Sequence, residues 1–323
     1  MIILLGDCIL LSDIKKIHEH VLITGGNGFI GSQTAFHFSK YITVSGIGHG
    51  SQGNTLSPSP FTQWIESDIS CSSLHEQLHA IPTLIIHCAG GASVAASLHN
   101  PQEDLRKNLE TTLETLEYIR QYAKNCRFIY LSSAAVYGNV KHLPIEESNP
   151  CLPISPYGLH KVFAEEVCCF YHAQHKIPIT IIRPFSVYGP GLKKQLLWDA
   201  CRKLSSHESQ FFGDGTELRD WLHIQDLTQL LWNISQQEMS RLEIINACSG
   251  KGEQVSSILN KIKQYFPSAP PITFTHVSKG GDPMGLVGSN KKAYHTGWRP
   301  RVSLDEGIKK YVLWYKKEHG ISE

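Results

Sequence analysis

Tyr157 and Lys161 stand four residues apart in the stretch 155–161, which reads SPYGLHK. On a helix, residues at this spacing share a face one turn apart, so a phenol and an ammonium could act at the same place. The chemistry such a pair suits is proton transfer. A tyrosine phenol ionises near pH 10 and is a poor base at neutrality, but a nearby positive charge favours the phenolate. Two unrelated residues on a helix surface are the alternative, and the spacing alone leaves both open. Pro156 fits the first turn of a helix that would carry the pair. A hydroxyl at a strand end is the natural third member, to orient a substrate oxygen beside the phenol. The stretch YLSSAAVYG offers Ser132 and Ser133, and Ser133 is preferred by its position relative to Val136, Tyr137 and Gly138.

A second constellation lies upstream. Residues 22–32 read LITGGNGFIGS, with Gly25, Gly28 and Gly31 spaced by three. An apolar strand pattern precedes the loop and a helical one follows. Such a loop turns tightly and lets backbone N–H groups approach a pyrophosphate at a helix N-terminus. A nicotinamide dinucleotide is therefore expected, and its cationic ring would act on the phenol together with Lys161. Lowering the phenol's pKa by about 3 requires about 4 kcal/mol of differential stabilisation, which two close cations can supply.

An acidic residue at the end of the second strand ordinarily holds the ribose 2′-hydroxyl of NAD. Here the stretch 44–52 reads VSGIGHGSQ, and no Asp or Glu occurs between Tyr41 and Ile65. Nothing there repels a 2′-phosphate, and His49 and Ser51 could donate to one. The expectation tips toward NADP over NAD. A turn made by the glycines, with NAD held by other contacts, is the alternative. Asp68, after the expected third strand, either accepts a hydrogen bond from the adenine amino group or caps the next helix.

The elements that must position these residues follow from the hydrophobic pattern. Strands are expected at 20–26, 41–48, 83–90, 127–133 and 178–185, with amphipathic helices between them, notably 103–124 and 157–176. Strands apolar on both faces and alternating with helices define an α/β protein with a Rossmann-type doubly wound parallel sheet. The last third holds FFGDGTELRDWLHIQDL, a strand at 242–249, a helix to about 266, a break at Pro267, Pro270 and Pro271, and a final helix at 303–318. This reads as a smaller C-terminal α/β substrate lobe. Residues 1–185 form the dinucleotide-binding domain, with 220–250 partly returning to it, and 186–323 the substrate lobe.

The 323 residues are 41% hydrophobic and 18% charged, with a formal net charge of +1, so neither a nucleic-acid nor a membrane partner is indicated. The nine cysteines include no CxxC pair, which points to reduced thiols and a cytoplasmic setting. No metal site is expected, since the 17 histidines are scattered and His18, His20, His172 and His175 read as surface residues. The apolar start is interrupted by Asp7, lacks a basic leader and is too short to cross a bilayer, and is taken as an edge strand or helix.

Seven motifs occur in order: GGNGFIG, HCAG, SSAAVYG, SPYGLHK, RPFSVYGPG, GDGTELRDWLHIQD and GWRP. From about residue 20 onward the chain resembles the extended short-chain dehydrogenase/reductase family, in its nucleotide-sugar epimerase/dehydratase branch. The resemblance implies a nucleoside-diphosphate sugar as substrate and a homodimer built through helices 103–124 and 157–176. It implies catalysis by Ser133, Tyr157 and Lys161. It implies cofactor contacts at Gly25, Asn27, Gly28, Phe29, Ile30, Gly31, Asp68, Ile69, Ala89, Asn108, Tyr157, Lys161 and Pro184. Arg219 matches the residue that grips the sugar-nucleotide diphosphate, a task suited to a fork of donors; a surface ion pair with Asp220 or Glu217 is its alternative. Ser186 stands where relatives have an asparagine that meets substrate. Gln195, with Lys193 and Lys194, either faces the diphosphate or base, or forms a solvated helix start.

The dehydratase branch carries an Asp-Glu pair beside the serine. Here Ala134 and Ala135 take those positions and can move no proton, which argues against 4,6-dehydration. A 4-keto(-6-deoxy) sugar-nucleotide reductase is slightly favoured over a 4-epimerase, on the missing carboxylate alone. A non-catalytic cofactor-binding regulator is a further alternative, disfavoured because Tyr157 and Lys161 are both present.

Overall fold

The structure is a computed structural model, and it describes residues 18–50, 58–238, 241–277 and 283–321. The N-terminal segment through residue 17 and Ser51 lie outside the described residues, so the expectations placed on them are not addressed.

The first lobe runs β1 (His20–Thr24), α1 (Phe29–Phe38), β2 (Thr43–Gly48), β3 (Gln63–Glu66), α2 (Cys71–Gln77), β4 (Leu84–His87), α3 (Val94–His99), α4 (Pro101–Leu105), α5 (Thr111–Tyr122), β5 (Arg127–Leu131), α6 (Pro156–His175) and β6 (Ile179–Pro184). There follow β7 (Ser186–Tyr188), α7 (Gln195–Ser205), β8 (Gln210–Phe211), β9 (Leu218–His223), α8 (Ile224–Ser235), β10 (Glu243–Ala247), β11 (Gly252–Gln254), α9 (Val255–Lys263), β12 (Thr273–Phe274), β13 (Gly285–Leu286), α10 (Lys291–His295) and α11 (Leu304–Glu318).

Seven strands form one sheet in the order β10-β6-β5-β4-β1-β2-β3. Every pairing in it is parallel. Alternation along β1 shows why: Val21 and Ile23 enter the core under α1 and α8, while Leu22 enters the core under α2, α5 and α6. All five residues of β1 are buried, as a strand covered on both faces must be. The sheet reverses its order between β1 and β4, and a crevice at that switch point is where open α/β sheets take ligands. The strand at 243–247 returns to this sheet beside β6, in register Ile245 to Ile182.

The second lobe packs α7, α9 and α11 around Tyr188, Leu197, Leu259 and Tyr311. Strand β9 is its spine, pairing with β7, β11 and β13. Asp220 on β9, fully buried, accepts from the Ser249 N–H and hydroxyl, each at 2.7 Å, and from the Gly250 N–H at 2.9 Å. These bonds tie the small lobe to the loop that leaves the large sheet.

Two expectations differ from the structure. The helix expected over 103–124 is broken: α4 passes through a π-helical turn, Arg106–Glu110, into α5. His18 and His20 are not surface residues but are 3% and 9% exposed. His18 is bonded to Thr83 and lies 3.5 Å from the Arg127 guanidinium, and burial pushes its pKa down to about 4. His20 opens β1 and is bonded to Ser45 of β2 at 2.8 Å.

Candidate active site

The glycine loop leaves β1 through Gly25, which takes φ +64° and donates its N–H to Ile47 O at 2.9 Å. A Cβ on Gly25 would lie 2.8 Å from Ala89 N, and one on Gly31 would lie 2.3 Å from Gly25 O. The loop therefore packs directly on the HCAG turn and on its own helix, which only glycine permits. Gly28 is the N-cap of α1 and brings no side chain, so the helix N-terminus is open to an anion. Phe29 and Ile30 begin α1, half-buried, and anchor it on the core. Ala89 N–H donates to Thr24 Oγ1 at 3.3 Å.

Asn27 Nδ2 donates to His49 O at 2.9 Å and to Gly50 O at 3.1 Å, and Trp64 Nε1 donates to Gly50 O at 3.0 Å. The turn after β2 is thus held from two sides. His49 Nε2 lies 3.2 Å from Asp68 Oδ1, with both side chains in solvent. This brings a carboxylate from the end of β3 beside the turn after β2, where the stretch 41–65 itself has none. Nor does Asp68 cap α2. Ser70 is where the extended chain (φ −137°, ψ 158°) enters the helix, and it forms a capping box with Ser73. Ile69 packs half-buried against the core on this side.

Asn108 sits on the π-helical turn, fully buried, with Nδ2 donating to Asp104 O at 2.9 Å. Its Oδ1 has no hydrogen-bond partner. A Cβ on Gly90 would stand 2.6 Å from that oxygen and 3.4 Å from Lys161 Nζ. A glycine-lined crevice, an uncapped helix N-terminus and an orphaned amide oxygen make a donor and acceptor set that fits a dinucleotide.

Ser133 follows β5 in an extended conformation and caps the short 3₁₀ turn Ala134–Tyr137, accepting from Ala135 N–H at 3.1 Å. Its hydroxyl lies on the side of the Tyr157 phenol and favours the ionised form there. Tyr157 opens α6 next to Pro156, and its backbone N–H donates to Ser97 Oγ of α3 at 3.1 Å. Lys161, one turn on, is 3% exposed and donates to Leu131 O at 2.8 Å. Burial lowers its pKa to about 8, against the nearby charge of Asp104, which raises it. Burial pushes the Tyr157 phenol up to about 12; the Ser133 hydroxyl pulls it down and the Asp104 charge adds to the rise. The depressed phenol expected from the sequence requires the cationic nicotinamide ring together with Lys161. Without that ring desolvation dominates, and Lys161 donates to a backbone carbonyl.

Pro184 is buried at the end of β6 and Ser186 starts β7, in register with Trp221 of β9. Arg219 lies two residues before Trp221 and donates to Leu218 O at 2.9 Å. Gln195 is exposed at the start of α7 with φ +67°, in the left-handed region that non-glycine residues rarely adopt. Lys193 lies 3.3 Å from Glu318 of α11.

Residues 21–248 match the sequence pattern of the NAD dependent epimerase/dehydratase family. The chain belongs to that family. It is an NAD(P)-dependent enzyme of the extended short-chain dehydrogenase/reductase type. A Methanocaldococcus jannaschii protein provisionally named UDP-glucose 4-epimerase is 29% identical over 312 residues, covering 93% of this chain and 99% of that one. The crystal structure of a UDP-glucose 4-epimerase from Thermotoga maritima with UDP-glucose is similar at a TM-score of 0.84 and 27% identity, over 93% of this chain and 99% of that one. A UDP-glucuronic acid 4-epimerase from Bacillus cereus, in complex with UDP-glucuronic acid and NAD, gives 0.83 and 26% over the same shares.

In this epimerase/dehydratase family member, several site-supporting residues escaped the sequence reading. Behind Ser133, the Ser132 hydroxyl donates to buried Glu165, which also receives Arg183 through Nε at 3.0 Å and Nη2 at 2.6 Å. Arg183 Nη1 donates to Tyr137 OH at 2.9 Å, and that hydroxyl donates to Asn246 Oδ1 at 2.7 Å. The chain of bonds fixes the serine turn to α6, β6 and β10 at once. Its one visible signal was Glu165, a turn beyond Lys161 on the same helix face. His87, bonded to Thr24 at 2.9 Å, is pushed down by burial to about 3 and stays neutral beneath the crevice.

Proposed function

We propose that the chain is an NAD-dependent nucleotide-sugar 4-epimerase, with a UDP-hexose as its substrate. The observation that carries the reading is Lys161, buried one turn after Tyr157 on α6 with its Nζ against the Gly90 turn of the glycine crevice, in a helix that packs on the Ser133 turn. When bound, NAD would take a hydride from the sugar carbon and give it back. Tyr157 removes the C4 hydroxyl proton, and Ser133 holds that oxygen beside the phenol. Bringing a phenol from about 12 to neutrality requires about 7 kcal/mol, so the proton transfer needs a positive charge brought to it on binding, beyond Lys161. Gly25, Gly28, Gly31 and Asn108 would hold the dinucleotide, and Ser186, Gln195 and Arg219 the sugar nucleotide.

Three points favour epimerisation with NAD. The similar proteins named above are 4-epimerases, and one was crystallised with NAD. Ala134 and Ala135 offer no acid and base for dehydration. The slight preference for an NADP-linked reductase rested on a missing carboxylate, and Asp68 beside His49 removes that support. Division of labour between residues 1–185 (with 220–250) and 186–323, and a cytoplasmic setting for the free thiols, are parts of the same reading. So is a homodimer: Leu113 and Tyr122 on α5, and Leu159, Phe163 and Phe170 on α6, are exposed apolar side chains on the two helices expected to pair. Sedimentation at the monomer mass would remove the dimer. Incubating UDP-sugars with the NAD-loaded protein and following C4 isomers by proton NMR tests the reaction. Isomer formation without net dinucleotide reduction or oxidation is expected; stoichiometric NAD(P)H consumption with a keto sugar would return the reductase reading.

A further inference from the structure

Beside the proposed catalytic pair lies a second, buried pair. His160 Nδ1 and Asp104 Oδ2 are 2.7 Å apart, with side chains 7% and 6% exposed. His160 immediately precedes Lys161 on α6 and lies three residues after Tyr157, so the two catalytic candidates flank it on one helix. Asp104 comes from α4, across the interface with α6. Gly91 admits its carboxylate: a Cβ there would stand 2.3 Å from Asp104 Oδ1 and 3.0 Å from Asn108 Nδ2. Lys161 Nζ and Asn108 Oδ1 press on Gly90 in the same manner. The Asn108 amide thus lies between the carboxylate and the ammonium, turned by its bond to Asp104 O.

A buried hydrogen-bonded pair of this kind adds little stability over an apolar pair of the same shape, so fold maintenance alone is a weak reason to keep one here. We propose that Asp104, fixed by His160 and admitted by Gly91, is a positioning residue that keeps a negative charge beside Tyr157 and Lys161 and so sets the pH range in which the two work. The sign follows from charge. A carboxylate favours the Lys161 ammonium and opposes the Tyr157 phenolate, and the electrostatic influence of Asp104 on both runs in that direction. Other groups facing this corner are Cys88, His87, Glu165, Cys168 and the Tyr130 ring, 4.9 Å from the ammonium, around Lys161, and Ser133 and Tyr130 toward the phenol. Glu103 of α4 is paired outward with Arg106 and Lys107.

The turnover arm of the test rests on the epimerase reading; the titration arm does not. Asp104→Asn keeps the shape and removes the charge. Both limbs of the kcat/KM pH profile are expected to move to lower pH, by about half to one unit, or about three- to tenfold in proton concentration. A purely structural pair would lower the plateau and leave both limbs in place. His160→Gln, which keeps a donor for the carboxylate, is expected to restore the plateau that His160→Leu loses. Independently of any sugar, ultraviolet titration of tyrosinate in the NAD-bound protein, taken as the difference from Tyr157→Phe in each background, reads the phenol directly. A midpoint lower in Asp104→Asn than in wild type supports the proposal. An unchanged or higher midpoint, or limbs that stay put or move upward, overturns it. Should the protein show no epimerase turnover, the titration still decides. Should Asp104→Asn fail to fold, the double variant Asp104→Asn/His160→Gln, with an amide at each position, is titrated in its place.

Discussion

Replacing Gly31 by alanine tests the placement of the dinucleotide loop. The new Cβ would stand 2.3 Å from Gly25 O, 2.9 Å from Gly25 C and 3.1 Å from Gly26 Cα. Real Cβ atoms essentially never come closer than 3.0 Å to such atoms, so loop and helix must part by 3.0 − 2.3 = 0.7 Å. All three neighbours are backbone, and no rotamer change relieves them. Gly25 cannot retreat freely either, because its N–H is held by Ile47 O at 2.9 Å and its far side meets Ala89. Overpacking of this kind costs about 1–3 kcal/mol. A bound pyrophosphate requires the original course of this loop, so the displaced loop binds it less well. An NAD Kd weaker by about 5- to 150-fold is expected from isothermal titration calorimetry. Gly28→Ala provides the graded control, since its Cβ would meet Gly25 O at the milder distance of 3.1 Å. Binding within threefold of wild type for Gly31→Ala, or a larger loss at Gly28 than at Gly31, would refute the reasoning.

Tyr157→Phe should lower kcat by about 10²- to 10⁴-fold, the usual contribution of a positioned acid–base group, while NAD affinity stays within a few-fold by calorimetry; wild-type turnover would exclude the phenol from the chemistry. Asp68→Asn should narrow the preference for NAD over NADP by about 5- to 30-fold, corresponding to about 1–2 kcal/mol of removed repulsion near the surface, and an unchanged affinity ratio would detach Asp68 from the discrimination. Lys161, held near 8 by burial, loses its ammonium as pH rises through that value, so kcat/KM should fall on the alkaline side from about pH 8. A profile flat to pH 10 would show that the ammonium is not needed.

Local patterns carried most of what could be read from the chain. The glycine loop and the Tyr157–Lys161 spacing are each written within a dozen residues, and backbone geometry turns such spacings directly into a turn and a shared helix face. Contacts between separate strand ends were not legible. Asp68 reaches His49 only because β2 and β3 lie side by side, so their contact was not written in either stretch alone. The burial that raises the Tyr157 phenol, and the backbone carbonyl that Lys161 meets, are properties of the packed protein and were not legible in the spacing. The π-helical turn under Asn108 left no mark in an amphipathic pattern that continues through it. His18 and His20, polar in type, were assigned to the surface, while the fold uses them as buried hydrogen-bonding residues against Thr83 and Ser45.

The central claim is that one carbon of a nucleotide sugar is oxidised and then re-formed with the opposite configuration, with Tyr157 handling the proton. A UDP-hexose carrying deuterium at C4 puts this to the most direct test, with the product examined by NMR after incubation with the NAD-loaded protein. The account predicts the C4 isomer with deuterium still at C4. Deuterium found at C6, or exported in a released reduced dinucleotide, would contradict it.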